Sequence, residues 1–219
     1  PNDQPLQRAM LEGLWRIRDI IDLVILEDMW RDAGRRLVEL DPDNLLGLVS
    51  QAQALWVLGG EANEATAAEL AQKSYRLEPT DPHVAVTYLS YLERTFFTTR
   101  REAVAAGARP ADLTRLTREY IEKVLPVLEK AAAAHPEDVP VATAYARFLQ
   151  SRAGLMDEAG ERAAADETLA LAGQVLERTV AATTERPSPE LFLALARQRY
   201  FVFDRAHPEP TAAQLAEFR

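Results

Sequence analysis

Apolar residues recur every three or four positions along this chain, in runs long enough for helices, and each run ends at a short polar stretch holding a proline. Four such junctions are VELDPDNLLGLVSQAQALWVLGG from Val38, RLEPTDPHVAVTYLSYL from Arg76, AAAHPEDVPVATAYARFLQSRAG from Ala132 and TTERPSPELFLALARQRYFV from Thr183. In each, one amphipathic pattern stops and another starts within a few residues. Proline lacks an amide hydrogen and clashes with the preceding turn, so it is excluded from a helix interior but accommodated in a first turn. The prolines therefore mark one repeated event, a helix end followed at once by a helix start. Pro42, Pro82, Pro136 and Pro187 are separated by 40, 54 and 51 residues, and every interval holds two helical patterns. Helix pairs repeating at a few tens of residues predict an all-α protein without sheet, an α-solenoid of about four antiparallel pairs.

Two Ala-rich segments, Thr98–Thr114 and Ala153–Glu167, fall between the helices of the second and third pairs. They are read either as longer helices or as insertions projecting from one edge of the stack. Pro126 lies inside the predicted helix EYIEKVLPVLEKAAAAH and predicts a kink near Lys123–Leu125. The proline-free stretch between Pro5 and Pro42 reads as two helices joined near Leu26–Asp28, a divergent first pair, with one long helix as the alternative. Trp15, Trp30 and Trp56 all fall in the first quarter and point to a well-packed end there. The expected organisation is one repeat domain, 1–219, made of pairs 1–40, 41–79, 80–134 and 135–186 and a last, truncated pair 187–219. The missing Met at position 1 and the helical run TAAQLAEFR at the other end lead to the expectation that the natural protein extends further.

The stretch Leu40–Pro79 resembles a tetratricopeptide repeat. Asp41-Pro42 precede its first helix, and Leu48, Ala52 and Leu55 occupy that family's bulky, small and bulky positions. Leu58-Gly59 closes the helix, Ala67 and Ser74 match the two small positions of the second helix, and Pro79 ends the unit. The second unit keeps Tyr88 but has Leu92 where a small residue is expected, the third has Ala146, and the fourth has Ala196. The resemblance runs from Met29 to the end, specific in the first full unit and degenerate elsewhere, and every unit exceeds the usual length of about 34 residues.

That resemblance implies a concave face lined by the first helix of each pair, where peptide-type ligands lie. Carrying the register over gives four series: Val49, Gln53, Trp56; Leu89, Glu93, Phe96; Thr143, Arg147, Gln150; and Leu193, Arg197, Tyr200. Spacings of four then three place each series on one helix face. Gln53, Trp56, Glu93, Phe96, Arg147, Gln150, Arg197 and Tyr200 are thereby candidate partner-binding residues. Aromatic platforms with paired arginines suit an extended protein or peptide segment bearing a carboxylate or acidic side chain. The competing reading makes the aromatics core residues between helices and the arginines solvated. The Lys/Asn/Arg clamp by which some members hold a C-terminal carboxylate is not matched, since Ser50 and Ala144 stand where Asn is expected.

Composition narrows the picture further. The chain has 219 residues, 47% of them hydrophobic, enough for a sizeable core, and a net charge of −9 removes any global attraction to nucleic acid. The absence of cysteine excludes disulfides, thiolate metal sites and cysteine nucleophiles. The longest apolar run, Ile20–Leu26, contains Asp22 and is too short to span a bilayer. A soluble cytoplasmic or periplasmic protein is expected, and nothing in the sequence sets its oligomeric state. His83, His135 and His207 each adjoin a proline at a helix boundary, without the second ligand that a helical metal site needs. No Gly-rich phosphate loop, GxSxG elbow or HExxH is present. Asp157, Glu158 and Glu161 read as a solvated acidic face. The sequence therefore calls for no catalytic residues, no metal and no cofactor. The expected function is a non-enzymatic interaction scaffold or adaptor. The alternatives are a small-ligand or substrate-binding component of a transport or secretion system, with Arg147 and Arg197 inside a pocket closed by the two Ala-rich segments, or the recruiting part of a larger enzyme.

Overall fold

The structure is a computed structural model that describes Pro5, Ala9, residues 23–183, residues 188–207 and Thr211. Eight helices carry these residues: α1 (Leu23–Leu40), α2 (Leu45–Leu58), α3 (Glu61–Leu77), α4 (Pro82–Ala105), α5 (Pro110–Ala134), α6 (Val139–Glu158), α7 (Arg162–Ala182) and α8 (Pro189–Ala206). No strand occurs among the described residues. The protein is all-α, a helical-repeat solenoid. Trp15, the side chain of Trp30, Pro187 and all of TAAQLAEFR beyond Thr211 lie outside the described residues.

The role of the prolines is visible at the junctions. Asp41-Pro42-Asp43-Asn44, Glu78-Pro79-Thr80-Asp81 and His135-Pro136-Glu137-Asp138 are three copies of one four-residue turn, with proline second and Asn or Asp fourth. Proline presets the φ that the second turn position requires. The fourth residue caps the next helix: Asn44, Asp81 and Asp138 accept from the backbone N–H of Gly47, Val84 and Val141 at 3.0, 3.0 and 2.9 Å. Ser188 accepts from Leu191 N–H at 3.2 Å and opens α8 in the same way. Each cap satisfies an amide that a helix start leaves bare. The equivalent turn prolines are thus Pro42, Pro79 and Pro136. Pro82 belongs instead to the first turn of α4, as Pro110, Pro140 and Pro189 do in α5, α6 and α8. From cap to cap the chain advances 37, 57 and 50 residues.

Residues 1–106 and 107–219 form two compact units. In the first, α2 packs on α1, α3 and α4, and α3 packs on α4. A helix that touches both the next helix and the one after it builds a repeat stack. A close crossing joins Gly34 of α1 to Gly47 of α2, where a Cβ on Gly47 would stand 2.9 Å from Leu37 Cβ and 3.1 Å from Gly34 O. Ala52 and Trp56 pack against Ala67 and Ala71 of α3, so the small positions Ala52 and Ala67 do sit at a helix contact. In the second unit, α6 packs on α5, α7 and α8, and α7 packs on α8. Ala146 is buried there, and Ala153 packs with Ala165 and Leu169.

Two expectations about the elements change, and Pro126 falls within one continuous helix. The stretch Leu26–Asp28 is not a joint, because α1 runs unbroken through it. It holds no Gly or Pro, and acidic residues alone do not end a helix. The two Ala-rich segments mostly lengthen helices. Only Ala106–Arg109 and Ala159–Glu161 remain as connectors, with Gly107 and Gly160 supplying positive φ. Pro126 leaves α5 continuous from Pro110 to Ala134. It lies on the exposed side, where water can bind the Glu122 carbonyl that Pro126 cannot satisfy.

Candidate functional site

In the first unit the candidate residues are largely committed to their own helices. Gln53 of α2 donates through Nε2 to Thr87 Oγ1 of α4 at 3.2 Å. Trp56 is buried in the α2–α3 core, and the Arg94 guanidinium covers its ring at 5.4 Å from the centroid. Arg94 also reaches Glu64 at 3.9 Å. Glu93 and Phe96 are half-buried on α4, and the Phe96 ring meets that of exposed Phe97 at 5.3 Å. Next to them lies a ring stack that the spacing did not reveal: Tyr75 of α3 and Tyr88 of α4 are 4.1 Å apart and nearly parallel, with Tyr91 following at 5.5 Å. Burial raises the pKa of both Tyr75 and Tyr88, and for Tyr88 the neighbouring phenols add to it. This is a packing surface, and Trp56 belongs to it.

The second unit divides its candidates. Gln150 of α6 donates to Gln198 Oε1 of α8 at 2.6 Å, and Gln198 Nε2 donates to the Leu169 carbonyl of α7 at 2.6 Å. Gln198 is buried and links three helices, although it was not among the expected site residues. Thr143 makes a second α6–α8 bond, to Glu190 Oε1 at 3.2 Å. Facing positions therefore differ by 47 or 48 residues, whereas the N-caps differ by 50. Arg147 and Arg197 occupy cap-equivalent positions but stand two to three residues out of step along the paired helices. Both are exposed and neither forms an ion pair among the described residues. Arg147 lies over its neighbour Phe148, 5.6 Å from the ring centroid. Tyr200 and Leu193 are exposed on α8. Ala196, the small-position match of the fourth unit, is exposed as well.

Two further features of this unit escaped sequence reading. Arg205 binds Asp157 with both terminal nitrogens, reaches Asp166 with Nε at 2.5 Å, and donates to the Arg162 carbonyl at 3.2 Å. The Arg205 hydrogen bonds hold the Asp157 carboxyl below its usual range, and the two carboxylates push the Arg205 pKa up. Asp157 is thus not a free acidic surface group. The other feature is a cleft of about 180 Å³ lined by Arg118, Ile121, Glu122, Arg152, Leu155, Met156 and Glu161. Arg152 Nε lies 3.2 Å from Glu122 Oε1. The cleft carries two cations and two anions, and neither Arg147 nor Arg197 lines it. Among the described residues no group of three or more His, Asp or Glu could hold a metal ion, and no helix is long and apolar enough to cross a membrane.

These features describe a helical-repeat protein. No family model matches the chain, and no curated protein matches it. Among solved structures it is similar to one titled "Crystal structure of MamA protein", at 17% identity and a TM-score of 0.36, covering 85% of this chain and 98% of that one. At that distance a functional reading has to come from this chain's own residues.

Proposed function

We propose that the chain is a tetratricopeptide-type interaction module, an adaptor or scaffold that holds a segment of a partner protein and carries out no chemistry itself. The observation that carries this reading is the pair Arg147 and Arg197. They are exposed cations on the stacked helices α6 and α8, and no carboxylate of the described chain neutralises them. A partner segment with acidic side chains is the chemistry that fits them, with exposed Tyr200 offering an aromatic platform one turn beyond Arg197.

The test is affinity capture from the native host with the parent chain and with Arg147→Ala and Arg197→Ala, quantified by mass spectrometry. Each variant should lower the yield of the same proteins by about 1.4- to 5-fold, because solvent-exposed ion pairs contribute roughly 0.2–1 kcal/mol each, and added salt should lower it further. Both variants capturing the parent's proteins at the parent's yield would remove this face as the site.

A further inference from the structure

The cleft of about 180 Å³ in the second unit is built from two matching helix faces. Arg118, Ile121 and Glu122 of α5 follow the i, i+3, i+4 spacing that puts three side chains on one face, and so do Arg152, Leu155 and Met156 of α6. Glu161, in the connector to α7, completes the lining. Its backbone is fixed at both ends: the N–H donates to the Met156 carbonyl at 2.8 Å, and the carbonyl accepts from Ala165 N–H at 3.1 Å. The cleft is separate from Arg147 and Arg197, neither of which lines it.

The lining divides into an apolar floor and a set of unused charges. Ile121 is buried, Leu155 and Met156 are half-buried, and the Thr168 hydroxyl pins Met156 by donating to its Sδ at 3.5 Å. An apolar cavity of roughly 150 Å³ takes up a benzene ring, so this cleft has room for an apolar body of about six carbons. Arg152 Nε is buried and makes no hydrogen bond, because Glu122 Oε1, though 3.2 Å away, lies off the N–H direction. A buried N–H without an acceptor is a cost that an oxygen of a ligand removes. Arg118 is exposed and forms no ion pair or hydrogen bond among the described residues. The Glu161 carboxylate is unused as well: it stands at the N-cap of α7 and makes no capping bond there.

We infer that this cleft binds a free α-amino acid with a branched or aromatic apolar side chain. That side chain lies on Ile121, Leu155 and Met156. The carboxylate accepts from Arg152 Nε and pairs with Arg118, and the ammonium group pairs with Glu161. The charge count selects this class over others. The lining carries two cations and two anions, so a zwitterion leaves the filled cleft neutral. A monocarboxylate would add one negative charge, and a phosphate or dicarboxylate would set more than one beside Glu122 and Glu161. An uncharged apolar molecule would leave Arg152 Nε without an acceptor. The site goes beyond the interaction-module reading and is independent of it, since it uses neither of the arginines on which that reading rests.

The test is isothermal titration of the full chain with L-leucine and L-phenylalanine, and with two fragments of leucine's chemistry. Glycine lacks the apolar body, and isocaproate keeps the body and the carboxylate but lacks the ammonium group. At least one of the two apolar amino acids should bind saturably, and glycine and isocaproate should bind more weakly than leucine. Arg152→Met keeps an apolar side chain of similar length and removes the guanidinium. It should weaken leucine about tenfold, a loss of roughly 1.4 kcal/mol. Arg118→Ala should weaken leucine several-fold with an unchanged thermal melt, because Arg118 is exposed. Glu161→Gln should weaken leucine and leave isocaproate unchanged, a split that a merely structural role of Glu161 would not produce. If Arg152→Met lowers the melt, the two exposed positions Arg118 and Glu161 carry the test. Saturable binding of neither amino acid overturns the inference. So does glycine or isocaproate binding as tightly as leucine, or leucine binding that Arg118→Ala and Glu161→Gln leave unchanged.

Discussion

Gln198 is 3% exposed yet carries an amide, and both ends of that amide are used. Its Nε2 donates to a carbonyl of α7 and its Oε1 accepts from Gln150 of α6. Truncating it to alanine opens a cavity and leaves the half-buried Gln150 amide without its acceptor. Gln198→Ala is expected to cost about 1–3 kcal/mol, and Gln150→Ala less, since Gln150 is nearer water. In a urea-denaturation double-mutant cycle the pair should show a coupling of roughly 0.5–1.5 kcal/mol. Strictly additive costs would mean that the two amides do not support each other. The same pair shows where sequence reading ran out at this scale. Gln150 was legible as a residue on an inward row of α6, because four-and-three spacing is local. Its partner was not, because 48 residues separate them and the offset depends on how α6 and α8 stack. Asp157 is exposed, as its sequence position suggested, but its ion pair with Arg205, 48 residues later, was not legible for the same reason.

Among the helices, α1 and α2 cross closely at two glycines that no motif singled out. An added Cβ at Gly47 would meet Leu37 Cβ at 2.9 Å and the Gly34 carbonyl at 3.1 Å, and neither is the free end of a flexible side chain. Gly47→Ala should therefore push α1 away from α2. The helix-propensity gain of alanine, up to about 1 kcal/mol, opposes an overpacking cost of about 1–3 kcal/mol. A net loss of stability in thermal melts is the expected outcome. A variant as stable as the parent would show that α1 can shift freely. Helix number was legible where a physical stop exists: the Asx-capped proline turns at Pro42, Pro79 and Pro136 end one helix and start the next within four residues. It was illegible where none exists. Leu26–Asp28 has polar residues but no breaker, so the helix runs through it, and the Ala-rich segments stay helical except at the short connectors around Gly107 and Gly160.

For the whole molecule, fold class followed from the repeat of caps and prolines, which the structure keeps. The division near residue 106 did not follow, because it falls within an Ala-rich run whose first part simply extends α4. Its local marks are slight: the connector Ala106–Arg109 and Gly107 with a φ of 78°. Each unit nevertheless has the parts of a separate core. Residues 1–106 bury Leu37, Leu48, Trp56 and Val84, and residues 107–219 bury Val124, Leu128, Leu149 and Leu176. In a helical-repeat stack each helix pair is stabilised by its immediate neighbours, so such a chain can be cut between units without removing the core of either. Limited proteolysis is therefore expected to cut first within Ala106–Arg109, where the backbone is exposed and leaves helical geometry. Fragments 1–106 and 107–219, expressed separately, should each keep a helical circular dichroism spectrum and a cooperative melt. If either fragment is unfolded alone, the connector joins parts of one cooperative repeat domain, and the two units are divisions of a single core rather than independently folding halves.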